Sequence, residues 1–254
     1  MDFRADGVLV EVDDGGIYRR TNPRDATGDW FSVNGSIQTT EFHAAAWDAS
    51  SNIVIGGAQD TGTPEQQTSA GVTWRSVSTA DGGDVQVDDL TAGTSVRYSS
   101  NQFLGNFRRN TVNAANVLQA TVFPARTPVG GSDALQAQFY TPIRINTVNG
   151  NRLIFGGANS VYESFDQGNT IREIGVGITV NDTGTDPIAY GAAGNADMLY
   201  VGSGTDVFIR NAAPPAVLTV SAAYPGTLNV RDIAVDPGAI WRSEERRVGK
   251  ECRS

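Results

Sequence analysis

The sequence predicts an all-β fold assembled from repeated four-stranded units, and three observations carry that expectation. A unit recurs about every 46 residues: a short apolar strand ending in an acidic or turn residue, a polar gap, then an apolar strand running into a Gly-rich corner. It reads Ala44–Asp48 followed by Ile53–Gly57, Ile143–Asn146 followed by Leu153–Gly157, and Ile188–Gly191 followed by Met198–Gly202. Alternating runs of 4 to 7 residues, such as Val8–Val12 and Val207–Arg210, fill the units. No window of 11 or more residues has helical periodicity with caps. Repeats of this length built only from strands mark the blades of a propeller.

The last inward residue of each first strand gives the series Phe3, Trp47, Val87, Ile145, Tyr190 and Val235, with steps of 44, 40, 58, 45 and 45. About five blades of about 45 residues are therefore expected, with first strands at Ala44–Trp47, Val85–Val87, Ile143–Ile145, Ile188–Tyr190 and Ile233–Val235. The long step is expected to hold an enlarged loop between Asn113 and Gln138, a stretch rich in Asn, Ala, Pro, Gly and Gln. Both ends read as interrupted. Met1–Arg4 opens in mid-strand without the charge and apolar run of a signal peptide, and Val230–Pro237 is the opening strand of a further blade. An incomplete ring is expected, with the remaining blades and domains supplied by a longer parent chain.

Residues 242–254 break composition with the rest, holding the only Lys and the only Cys. They resemble the in-frame translation of a short-read sequencing adapter and are expected to be a non-native tail that packs against nothing. The domain division is thus 1–241 for the propeller fragment and 242–254 for the tail. Without that tail the body carries 14 Arg and no Lys against 25 acidic residues, a formal charge of −11. Such a surface repels nucleic acid and anionic lipid, and no run of 18 apolar residues is present to insert in a membrane as a helix. Neither is an expected partner.

Ser164-Phe165-Asp166-Gln167-Gly168-Asn169-Thr170-Ile171 follows the pattern Ser-x-Asp-x-Gly-x-Thr-aromatic, with Ile in the final place. Its chemistry is that of a hairpin turn: the carboxylate and hydroxyls bond turn amides, Gly supplies positive φ, and the last apolar residue plugs between sheets. Gly71-Val72-Thr73-Trp74 repeats its second half, and Arg20-Thr21 through Gly28-Asp29-Trp30 is a stretched version. These segments resemble the Asp-box (BNR-repeat) propellers of the sialidase-like and sortilin-like group. The resemblance implies structural roles for Ser164, Asp166, Gly168, Thr170, Gly71, Thr73 and Trp74, and no catalytic role, because in that family the boxes lie on outer turns.

Three further segments place acids beside glycines at strand ends: Asp13-Asp14-Gly15-Gly16, Gln59-Asp60-Thr61-Gly62-Thr63 and Asp81-Gly82-Gly83-Asp84. They are similar to signatures in bacterial and cyanobacterial members of the same group. One reading is a shared ligand-binding site from Asp13, Asp14, Gln59, Asp60, Asp81 and Asp84, which would hydrogen-bond sugar hydroxyls or, at Asp14, Asp81 and Asp84, hold Ca2+. The other is turn chemistry alone. No organic cofactor is expected. Asp13-Asp14-Gly15-Gly16-Ile17-Tyr18-Arg19 also resembles a segment of propeller endoglucanases acting on xyloglucan, where the residue matching Asp14 is one of two catalytic carboxylates. Asp14 and Asp60 are the candidates for such a pair, and turn formation is the competing role. The Arg-Ile-Pro motif and the Tyr-Glu pairing of sialidases are not found. His43, the only imidazole, starts a first strand with no nucleophile or metal partner at recognisable spacing and reads as a structural residue. Trp30, Trp47 and Trp74 read as core plugs.

The function expected from these features is a binding and display module of a large bacterial secreted or cell-surface protein, taking a carbohydrate or protein ligand. A glycoside hydrolase of the endoglucanase or sialidase-like kind is the alternative, and a structural spacer is the third reading.

Overall fold

The computed structural model describes residues 1–13, 16–35, 40–180, 187–222, 224 and 226–235. Among them the regular structure is strand, apart from one 3-10 turn at Gln102–Leu104. The chain divides into two compact units, Met1–Phe42 and His43–Ser254. The predicted tail, 242–254, lies outside the described residues.

The first unit is one antiparallel meander of β1 (Asp2–Phe3), β2 (Leu9–Asp13), β3 (Gly16–Arg20) and β4 (Trp30–Ser32). Its last turn is closed by Thr21 N donating to the Asp29 carbonyl at 3.0 Å. Inside the turn Asp25 accepts from Thr27 N at 2.8 Å and from Thr27 Oγ1 at 2.6 Å. These bonds to the charged form hold the Asp25 carboxyl below its usual range. Trp30 is 40% exposed, with the Arg20 guanidinium 5.9 Å above its ring, so it is a stacking surface and not the predicted core plug.

The second unit contains four more meanders, each in sequence order. They are β5 (Phe42–Asp48), β6 (Ile53–Ala58), β7 (Pro64–Gln66) and β8 (Trp74–Ser76); β9 (Gln86–Asp88), β10 (Thr94–Ser99), β11 (Arg108–Asn113) and β12 (Leu118–Val122); β14 (Ile143–Asn146), β15 (Asn149–Gly156), β16 (Val161–Ser164) and β17 (Thr170–Glu173); and β18 (Ile188–Ala192), β19 (Asn195–Ser203), β20 (Asp206–Arg210) and β21 (Thr219–Val220). Strand β13 (Thr127–Pro128) joins the outer edge of β17 in parallel. First strands neighbour first strands, with β14 beside both β9 and β18. The arrangement is consistent with a β-propeller-like fold, and no closed ring forms among the described residues.

Two expectations need correction. The stretch 113–138 is not one enlarged loop, because it holds β12, which completes its own sheet, and β13, which is lent to the next. Ile233–Val235 is not a strand. These residues instead pack, with Tyr224 and Val230, on the face of β18–β20 formed by Ala189, Tyr200 and Val207.

Apolar packing joins the later sheets. Tyr98, Leu104 and Phe107 of the third sheet interleave with Ile143, Leu153, Phe155, Tyr162 and Ile171 of the fourth. Ile154, Val161, Ile174 and Val180 meet Ile188, Tyr190, Leu199 and Val201 of the fifth. Both clusters are held by area burial at about 25 cal/mol per Å2. Between the second and third sheets the join is polar instead: Asp48, Glu65 and Arg97 are all 1% exposed or less.

The Gly-rich corners have a steric cause. A Cβ on Gly57 would stand 1.8 Å from the Gly83 carbonyl oxygen, and one on Gly82 would stand 2.1 Å from that of Gly62. Gly82 N donates to the Ala58 carbonyl at 2.9 Å and Gly83 N to that of Ser100 at 2.8 Å. The Gln59–Thr63 and Asp81–Asp84 motifs therefore interlock backbone on backbone. At Gly156 and Gly202 the close neighbours are instead side chains, those of Val180 and Val230.

Candidate functional site

Within the second unit, the first strands enclose a cavity of about 370 Å3 lined by His43–Trp47 of β5, Asp84–Val87 at β9, and Tyr140 and Arg144 at β14. That volume lies in the range of small-ligand sites. Pleat alternation sets its character. On β5, Asp48 turns into the polar join and is fully buried, whereas Trp47, one residue earlier, lines the cavity and is 51% exposed. Trp47 is thus not the predicted core plug, and its ring is available to stack on a ligand.

Asp84 is the carboxylate of the cavity and is 5% exposed. One oxygen accepts from Ile143 N at 2.7 Å and the other from Gln86 Nε2 at 3.3 Å. Burial pushes its carboxyl above the usual range, and the Arg144 charge and these hydrogen bonds offset the push only in part. Arg144 donates from Nε to the Ile188 carbonyl at 3.0 Å. Burial draws its guanidinium down, countered by Asp84, Asp232 and Tyr140. The Tyr140 hydroxyl donates to the His43 carbonyl at 3.4 Å, and burial, followed by the Asp84 charge, pushes it up. The His43 and Tyr140 rings lie 5.5 Å apart. The lining therefore holds an acceptor, Asp84, and a donor, Arg144, within each other's electrostatic reach, together with the Gln86 amide and the Tyr140 hydroxyl. Ala44, Ala46, Val85 and Val87 supply apolar wall. Such a mixture suits a ligand with paired hydroxyl or amide groups and an apolar face.

Of the acids singled out in the sequence, Asp84 reaches this cavity. Asp81 does something else: its Oδ1 accepts from Asp60 N at 2.9 Å and from Gln59 Nε2 at 3.4 Å, capping a turn in which Asp60 has φ +59°. Gln59, Asp60 and Asp81 are thus brought together as turn chemistry. Asp13 ends β2 in the first unit opposite Gly16, and Asp14 lies outside the described residues. Among the described residues no group of three or more His, Cys, Asp or Glu is placed to hold a metal ion. The Ca2+ set expected at Asp14, Asp81 and Asp84 includes Asp14, which lies outside the described residues.

The turn between β16 and β17 is bonded as follows. Asp166 Oδ1 accepts from Thr170 N and Oδ2 from Thr170 Oγ1, both at 2.8 Å. Ser164 Oγ accepts from Gly168 N at 2.8 Å and donates to Asp166 Oδ1 at 2.9 Å. Gln167 and Gly168 take φ of +59° and +86°, and Ile171 is buried among Phe155 and Tyr162. These bonds overcome the penalty of partial burial and hold Asp166 below the usual carboxylate range. The Gly71–Trp74 turn has no such carboxylate; Gln67 N bonds the Thr73 carbonyl at 3.1 Å, and Gln66 Nε2 bonds that of Gly71 at 3.0 Å. Asp166→Ala is expected to cost about 1–2 kcal/mol of stability, several hydrogen bonds to a charged acceptor being lost at a half-exposed turn. Urea unfolding of the full chain measures it.

Sequence reasoning missed Tyr140, Gln86 and Arg144. The last sits in the run Ile143-Arg144-Ile145, where a cation between two isoleucines on a first strand was the available signal. Also missed were two buried ion-pair networks. Arg97 bonds Asp48 Oδ2 from Nε at 2.8 Å and pairs with Glu65 at 2.7 Å. Glu163 takes Arg210 at 2.5 Å and Arg152 at 2.7 Å, and accepts the Tyr190 hydroxyl. In each, a third-strand glutamate binds an arginine of the following sheet.

No family model matches the sequence, and no curated protein matches it. Among solved structures, an ancestral GH74 enzyme aligns at TM-score 0.48 and 17% identity over 91% of this chain and 31% of its own. A functionally unknown protein from Desulfotomaculum acetoxidans DSM 771 aligns at TM-score 0.46 and 15% identity over 91% of this chain and 69% of its own. The chain spans about a third of the length of the GH74 enzyme.

Proposed function

We propose that the chain is the blade-bearing part of an Asp-box-type β-propeller that works as an extracellular or cell-surface binding and display module, holding a neutral carbohydrate in the cavity between β5, β9 and β14. The observation that carries this reading is that the buried Asp84 and its electrostatic partner Arg144 line one cavity together with the half-exposed Trp47 ring. A carboxylate and a guanidinium side by side accept from and donate to neighbouring hydroxyls, and an indole stacks on the C–H face of a sugar ring. The turn bonded through Ser164, Asp166, Gly168 and Thr170 supports the Asp-box assignment.

Glycoside hydrolysis is the second reading, favoured by one observation: burial lifts the Asp84 carboxyl as a proton donor requires. Hydrolysis through paired carboxylates needs a second acid about 5–10 Å away, and Asp84 is the one carboxylate among the cavity-lining residues.

Titration calorimetry of the full chain with neutral gluco- and xylo-oligosaccharides decides. Binding that falls at least tenfold in Arg144→Met and Asp84→Asn, with no reducing sugar released, supports the module. Release of reducing ends that Asp84→Asn abolishes supports the hydrolase. Heat changes that are absent, or identical in the variants, would sink both and leave the spacer.

A further inference from the structure

We infer that the ligand held by the second unit is a chain of several sugar units, whose outer units leave the cavity across the exposed phenylalanine pair Phe103 and Phe139. This rests on the carbohydrate reading of the cavity, and adds the length of the ligand and the residues that sense it. The cavity follows β5 from His43 to Trp47, four residue steps or about 13 Å at the rise of a strand, which is longer than a single sugar ring.

In each antiparallel meander the turn between the second and third strands lies at the end where the first strand starts. Backbone bonds join these ends from sheet to sheet. Gly82 N donates to the Ala58 carbonyl at 2.9 Å, Gln102 N to that of Asp81 at 2.9 Å and Phe103 N to that of Phe139 at 3.0 Å, while Ile143 N reaches the Asp84 carboxylate at 2.7 Å. Phe103 and Phe139 are therefore set at the end of the sheets from which Asp84 and Tyr140 enter the cavity, opposite the Trp47 end of β5. Their rings meet edge to face at 5.4 Å, and the two residues are 59% and 40% exposed.

The turn that presents Phe103 is strained. Phe103, Leu104 and Asn106 take φ of +56°, +53° and +50°, a left-handed conformation that Phe and Leu seldom adopt. Asn101 Oδ1 and Gln102 Oε1 are buried in the same turn with no hydrogen-bond partner among the described residues. Leu104 anchors it in the core beside Tyr98 and Phe107, yet Phe103 is kept in solvent. Strain and unsatisfied acceptors gathered under an exposed ring mark a binding surface. Charge selects the occupant: segments 59–63, 81–84, 101–107 and 139–142 carry Asp60, Asp81 and Asp84 and no cation, so an anionic polymer is repelled. A neutral chain of hydroxyl-bearing rings stacks on the phenyl faces and bonds the carboxylates and amides of these segments.

Titration calorimetry of the full chain compares a disaccharide with a hexasaccharide, each made once from glucose and once from xylose. Wild type is expected to bind one hexasaccharide about tenfold more tightly than its disaccharide. Phe103→Ala and Phe139→Ala should each lose most of that difference and leave disaccharide affinity within about twofold, whereas Phe103→Tyr, which keeps a ring, should retain it. Retained disaccharide binding also shows that the variants fold. Equal affinity for both lengths in wild type, alanine variants that keep the full difference, or variants that weaken both lengths alike would each overturn the inference and leave the carbohydrate reading standing. Binding of a proline-rich peptide that both alanine variants abolish would give the pair to a protein partner and overturn it too. Absence of heat with every saccharide overturns the inference and the carbohydrate reading together.

Discussion

Glu163→Ala is expected to lower the unfolding free energy by about 3–5 kcal/mol, the usual result of removing one partner from a buried ion pair, and to lower Tm by roughly 10 °C. Glu163 is 1% exposed and bonds two arginines and a tyrosine, with Arg210 at 2% and Arg152 at 6% exposure. Its loss strands the Arg210 guanidinium between the fourth and fifth sheets, while Arg152 keeps Asp197 at 2.8 Å and the Tyr190 hydroxyl at 2.6 Å, and water cannot replace the carboxylate without opening the packed face of Tyr190 and Leu199. Adding Arg210→Met to Glu163→Ala is expected to recover part of the loss, because the second change removes a charge the first left unpaired. Denaturant unfolding of the single and double variants tests this; additive losses would show that the arginine finds another partner.

The same network sets a pH dependence. Burial alone would push the Glu163 carboxyl up, but Arg210, Arg152 and Tyr190 outweigh it and hold it below the usual range. For Asp48, likewise, Ser95 and Arg97 outweigh burial. A lowered folded value means that stability is complete above the unfolded carboxylate pKa of about 4 and is lost as pH falls through the folded values. Asp84 has the opposite sign, since its raised value works against folding at higher pH and is relieved on protonation. Wild type should therefore lose Tm on acidification below about pH 4 more steeply than Glu163→Gln does. Parallel slopes would remove Glu163 from the account.

The repeat was legible because its two signals are physical. Period-2 apolar runs such as Leu153–Phe155 mark strands, and paired glycines mark corners where backbones touch. The site was half legible. Asp84 was found beside its glycines, but the same glycines suggested a cluster of acids, and Asp81 instead caps the Gln59–Asp60 turn. Arg144 and Tyr140 went unseen because nothing local reveals that a cation between isoleucines meets a carboxylate 60 residues earlier. Strand β13 was hidden by Pro128, which is tolerated at a sheet edge but reads in sequence as a loop. Trp47 was read as core because aromatic residues at repeat positions usually are, and its exposure follows from Asp48 taking the inward place on β5.

Gly57→Ala is expected to cost about 3 kcal/mol or more, at the upper end of overpacking losses, although Ala is ordinarily the better residue in a regular strand. The added methyl would sit 1.8 Å from the Gly83 carbonyl oxygen and 3.0 Å from its carbon. Both are backbone atoms of the segment leading into β9, so no rotamer change relieves the overlap. Relief requires the second and third sheets to separate, which would stretch the Gly82 N bond to the Ala58 carbonyl, 2.9 Å, and draw Asp48 from Arg97. The same movement shifts Asp84, and with it the floor of the cavity. Gly105→Ala is the control, because its new methyl would meet the Gln102 carbonyl oxygen at 3.2 Å, a contact that a few tenths of an ångström relieve. Thermal unfolding of the two variants should therefore differ by roughly 10 °C. Equal Tm values would mean that the glycine corner is a loose contact, and that the Asp81–Asp84 motif is not held in place by the Gln59–Thr63 turn.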